Sequence, residues 1–413
     1  MKKEKREKVR QTPGQKILRL TSLATGAAIG VAMIIYARRT GAGLLPMYVV
    51  TMLLYYLAAY TGVIIHELGH MLGGLMSGYT FRGIGMAGLI LVRDAQGKLR
   101  RGRSSLPGAA GQCMMTPPPM QDGQMKYKLY LSGGWLANLI AAILFLMAAA
   151  LVSRTAPRMS SALMSLSSAG AYMSPGREFA LLTLRVFAIV NIASVLNNAL
   201  PLTTNLLNND GSRMRALGKS KAAQAADWRN MMISSEGLKG VKLKDMPSEW
   251  FVMPSEAALQ SSHIAAAEAM MCYSRLHQED RDEEANALCD RLLGEDVQLN
   301  GAQRATLRIN RSCQELIRGE GTDEERREKA EGWLDAPTKQ FIKALRNSPA
   351  GLRIRFCRKL LLDGNEAEAD RIEAEYDRKV RKDPTIVDHE WDKRYFVEVR
   401  KAYEQRKAET ANQ

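Results

Sequence analysis

The chain has 413 residues and a formal net charge of +15, long enough for a membrane part and a soluble part. The basic excess lies in the N-terminal tail and in the segment after residue 80, each time beside an apolar stretch. It reads as a topology determinant that also attracts anionic lipid, and nucleic acid is not an expected partner. Five widely spaced cysteines with no Cys-x-x-Cys pair argue against a disulfide framework and fit reduced thiols in a cytosolic setting.

Residues 1–16 form a basic tail, and the apolar run behind it reaches Arg38-Arg39 without a small-residue cleavage site, which marks an uncleaved first span. Four apolar spans follow one another at about Ile17–Tyr36, Leu44–Met76, Leu129–Val152 and Phe179–Leu200, against a requirement of about 20 residues each. Lys and Arg crowd the tail before span one and the segment Arg82 to Lys128 between spans two and three, so both regions are expected to be cytoplasmic. Span two then runs inward, and the rise of about 30 Å from Leu44 to His66 brings the end of that span near the cytoplasmic face.

There the sequence reads His66-Glu67-Leu68-Gly69-His70. Side chains four apart share a helix face at roughly 6 Å, so both imidazoles can hold one zinc ion while Glu67 faces a water on it. A zinc hydrolase usually adds a third protein ligand. The acidic candidates between the motif and residue 210 are Asp94 and Asp122, which sit in turn-like surroundings, Glu178 at the outer end of span four, and Asp210 in Asn209-Asp210-Gly211, which follows span four on the cytoplasmic side. His263, His277 and His389 lie in charged helical segments and read as ordinary surface or core histidines.

Span three opens Ser132-Gly133-Gly134, which allows close helix approach, and then offers the amide of Asn138. Asn191, Ser194 and Asn198 make a polar stripe on span four that should face the bundle. Arg185 in the same span has two open explanations, snorkelling or an interior partner. After the histidine motif, Phe81, Ile84, Met86, Leu89 and Leu91 punctuated by glycines suggest short strands or a re-entrant hairpin. An edge strand there is expected to pair with an unwound substrate.

His66-Glu67-Leu68-Gly69-His70, Gly133-Gly134 with Asn138, and Asn198-Ala199-Leu200-Pro201 with a later Asp210-Gly211 together resemble the site-2 protease family of intramembrane zinc metalloproteases, in a bacterial branch. The resemblance covers roughly residues 44 to 215. It implies His66, His70 and Asp210 as zinc ligands, Glu67 as general base and acid, and Asn138 as a polar group near substrate, with Asn138 or Asn198 as donors to the developing oxyanion. It also implies cleavage of membrane-anchored proteins or peptides within or beside membrane helices. Trp135 stands where the family often has proline, and the stretch from Pro201 to Asp210 is longer than in the best-known members.

The expected fold is mainly α, a polytopic membrane helix bundle with a small re-entrant β element, followed by a soluble α-helical, solenoid-like domain. The metalloprotease domain is expected over 17–211, an irregular linker over 212–254, and a cytoplasmic helical domain weakly resembling tetratricopeptide stacks over 255–413, where a regulatory protein could dock. The alternative reading is a non-catalytic membrane scaffold that binds partners through that domain.

Overall fold

The computed structural model describes residues 13–86, 88–103, 110–154, 175–202, 208–381 and 389–411. They fall into two compact units. The first contains α1 (Pro13–Thr40), α2 (Leu44–Met76), α3 (Tyr127–Arg154), α4 (Pro175–Ala199) and the start of α5 (Asp210–Leu217). The helices α1 to α4 are each long and apolar enough to cross a membrane. They match the four expected spans, extended at some ends by flanking polar residues such as Arg38, Arg39 and Arg154. Leu45, Leu53, Met147 and Leu151 are exposed on them, as lipid-facing positions would be.

The core between α1, α2 and α4 is built from Ile29, Ala32, Leu54, Ala58, Leu182 and Val186. Contact between α2 and α3 is closer, because small residues four apart face each other: Gly69 and Gly73 on α2, Gly133 and Ala137 on α3. A Cβ on Gly69 would lie 2.6 Å from that of Ala137, and one on Gly73 would press on the Leu129 carbonyl. The two helices run antiparallel, since His70 meets Tyr130 while Gly62, two turns earlier, meets Asn138.

The second unit holds Gly78–Lys126 and most of the chain after residue 215. Strands β1 (Thr80–Met86), β2 (Leu89–Arg93), β3 (Leu99–Arg103) and β4 (Gly111–Thr116) form an antiparallel sheet in the order β3-β2-β1-β4. The expected strands are therefore present. Asp94 closes the β2–β3 turn by accepting hydrogen bonds from the backbone of Gln96 and Lys98 and from Arg100. The sheet region packs against α6 (Lys221–Leu238): Trp228 donates to the Pro118 carbonyl at 2.8 Å, and Gln224 accepts from the Met125 amide at 3.0 Å.

Two expected boundaries change here. Residues 78–126 group with the later helices and not with the apolar spans, and much of the expected linker 212–254 is helical. Helix α6 forms because Ser220 caps it by accepting from Ala223, while Ala226 and Ile233 are buried and Arg229 pairs with Glu268. Its many polar residues hide that spacing in the sequence.

The remaining helices are α7 (Glu256–Ser261), α8 (His263–Gln278), α9 (Asp282–Leu292), α10 (Gly301–Arg318), α11 (Asp323–Gly332), α12 (Ala336–Leu345), α13 (Pro349–Leu361), α14 (Glu366–Val380) and α15 (His389–Ala411). Capping boxes start α10 at Asn300/Gln303 and α11 at Thr322/Glu325. Gly364, at φ +60°, makes the turn between α13 and α14. Two apolar cores result, one around Leu259, Tyr273, Cys289 and Leu307, the other around Ile309, Phe356, Tyr376 and Phe396. Helix α10 contributes to both, and α15 returns to it through Arg318 and Glu398.

The close approach of α2 and α3 predicts that Gly73→Ala costs about 1–3 kcal/mol. Gly26→Ala, where a Cβ meets nothing within 4 Å, should stay within about 0.5 kcal/mol of wild type. Unfolding of the detergent-solubilised protein measures both.

Candidate metal centre

Helix α2 continues unbroken through the histidine motif, so His66 and His70 project from one face with ring centroids 4.7 Å apart. His70 Nδ1 lies 2.8 Å from the Tyr130 carbonyl oxygen. A carbonyl only accepts, so this nitrogen carries the hydrogen. Asn138 Nδ2 donates to the Gly62 carbonyl at 2.9 Å, which orients the amide and aims its Oδ1 at His66 Nδ1, 2.8 Å away. His66 Nδ1 is therefore also a donor, and both rings turn Nε2 to the same point.

The two Nε2 atoms are 3.1 Å apart, and Asp210 Oδ2 lies 3.1 Å from one and 3.2 Å from the other. Three electron-rich atoms at such separations repel unless a cation lies among them. A tetrahedral zinc site with bonds of about 2.0–2.1 Å sets its ligand atoms about 3.3 Å apart, so the three residues fit the ion. Among the described residues this is the group that could hold a metal. Gly134 keeps the space open: a Cβ there would stand 2.5 Å from His70 Nε2 and 2.7 Å from His66 Nε2.

Asp210 is delivered by a clamp between α4 and α5. Asn209 accepts from the Ser212 amide, capping α5, and donates to the carbonyls of Asn197 and Leu200 at 2.6 Å. Gly211 lies inside α5 and allows its backbone to meet the end of α4, since a Cβ would come within 2.5 Å of the Ala199 carbonyl. Its contribution is close approach.

Glu67 is 5 % exposed and makes no hydrogen bond among the described residues. It lies within electrostatic reach of His70, His66 and Asp210. Asn138 departs from its expected place beside substrate. Its amide is completely buried, and its hydrogens are given to Gly62 O and Asn191 Oδ1 while its oxygen accepts from His66 and Ser194. No donor is left for an oxyanion, and the side chain orients His66 instead. Asn191 and Ser194 face the bundle as expected. Asn198, on the same face, donates one amide hydrogen to the Ser194 carbonyl.

The other candidates lie elsewhere: Glu178 is buried in an ion pair with Arg39, Asp122 occupies a turn at φ +50°, and His277 pairs with Asp282. Tyr130 and Asn209 were not legible as site residues. Tyr130 acts through its backbone carbonyl, which has no sequence signature, whereas an Asn directly before Asp210 at a helix start is a capping signal. Comparisons with protein-family models, curated proteins and solved structures return no match for this chain.

The Asn138 network predicts that Asn138→Ala lowers zinc affinity by about 10–100-fold, read as metal retention against a competing chelator. Asn198→Ala, which touches neither histidine, should leave retention unchanged.

Proposed function

We propose that this chain is an intramembrane zinc metalloprotease of the site-2 protease type, hydrolysing peptide bonds of membrane-anchored proteins or peptides. The observation that carries the reading is the convergence of His66 Nε2, His70 Nε2 and Asp210 Oδ2 within 3.2 Å of one another, next to Glu67, which makes no hydrogen bond among the described residues. When bound, zinc supplies Lewis acidity and lowers the pKa of a coordinated water to about 7. Glu67 takes the proton of the attacking water and returns it to the leaving amine. Asn198, with an amide hydrogen uncommitted among the described residues, is the remaining side-chain candidate to support the oxyanion, an effect commonly worth about 3 kcal/mol.

Loop charge supports a multi-pass membrane protein with its N-terminus and helical domain in the cytoplasm. The helical domain offers a surface for a regulatory protein. Strand β3 lies at one end of its sheet and, among the described residues, pairs only with β2, the arrangement that accepts an extended peptide.

Purified wild type, Glu67→Gln and Asp210→Ala test the proposal with zinc analysis and cleavage of a single-span substrate in vesicles. Glu67→Gln should retain zinc and lose at least about 100-fold in cleavage. Asp210→Ala should lose zinc. Undiminished cleavage by Glu67→Gln sinks the protease reading.

A further inference from the structure

Arg185 sits about 15 Å along α4 from Pro175, well inside a helix that the hydrocarbon core would cover over about 20 residues. A guanidinium at that depth is costly, and such residues ordinarily pair with a partner. Among the described residues Arg185 makes no hydrogen bond or ion pair. It is half-buried, with Leu181 and Ala188 almost fully buried beside it. One and two steps further along the same helix face, Ile192 and Leu196 are 40 % and 44 % exposed. Ile192 and Leu196 are thus exposed apolar positions on the side of α4 that carries Arg185, beyond the buried Ala188.

The four long helices of a second copy have no free carboxylate to offer it. The four long helices carry only two carboxylates, Glu67 and Glu178. Glu67 stands beside the candidate metal ligands, and Glu178 is held by Arg39 and Arg177 at 3.4 and 3.7 Å. A carboxylate partner for Arg185 within the membrane-spanning helices would come from another molecule.

We propose that the Arg185, Ile192 and Leu196 face of α4 receives a membrane-spanning helix of another protein that carries an Asp or Glu side chain near mid-span. The carboxylate would pair with the guanidinium, and the partner's apolar side chains would cover Ile192 and Leu196. Charge complementarity favours this occupant, and it does not depend on the protease reading.

The test uses the full chain, donor-labelled, in phosphatidylcholine vesicles near pH 8. Two acceptor-labelled leucine-rich single-span peptides differ only in a central Glu or Gln. Energy transfer should report about tenfold tighter association of the Glu peptide. Arg185→Gln should reduce it to the level of the Gln peptide, and Arg185→Lys should retain most of the preference. Equal association of both peptides with the wild type overturns the proposal; this is the result expected if lipid phosphate holds the guanidinium. A Glu preference that survives in Arg185→Gln also overturns it. The peptide comparison on the wild type does not depend on any variant folding.

Discussion

The side-chain amide of Asn138 has four hydrogen-bonding positions, and all four are used: two hydrogens given to Gly62 and Asn191, two acceptor sites filled by His66 and Ser194. In a bundle of helices apolar enough to cross a membrane, a stray polar atom would find no water in the hydrocarbon region to satisfy it. An unpaired buried donor or acceptor costs about 1–3 kcal/mol. One completely buried amide therefore joins α2, α3 and α4 and fixes which nitrogen of His66 is left over. The arrangement at His70 is simpler, a backbone carbonyl in place of an amide, yet it has the same effect.

That polar centre exists only because the helices come close enough to make it. Gly69 and Gly73 meet Gly133 and Ala137 where any larger side chain would separate α2 from α3, and Gly134 leaves room where both Nε2 atoms point. Gly69 thus belongs to the histidine motif for a packing reason, not a chemical one. Asp210 comes from a separate short helix, and its position is set by the Asn209 amide instead of by a long span.

The four apolar helices, the shared face of His66 and His70, and the inward polar stripe of Asn191 and Ser194 could all be read from the sequence. Long apolar runs and a four-residue spacing are strong local signals. Asp210 also emerged, by elimination among few acids, and the geometry brings it to the histidines. What could not be read rests on contacts between distant segments. A carbonyl such as that of Tyr130 is present at every residue, and nothing local marks the one that will meet an imidazole. The burial of Asn138 depends on three helices at once, so an amide near the motif looked like a group for substrate. Helix α6 is obscured because only two of its buried positions, Ala226 and Ile233, are apolar, and the grouping of the sheet with the later helices rests on Trp228 and Gln224, more than 90 residues away from their partners.

Helix α10 places Leu307 in one apolar core of the second unit and Ile309, Cys313 and Leu316 in the other. The helix thus links the two cores, and losing it opens both. The helices from α7 to α15 should therefore melt together in one transition, unlike a stack of repeats that can fray from an end. A fluctuation that unseats α10 would therefore loosen both cores at once, from Leu259 to Phe396.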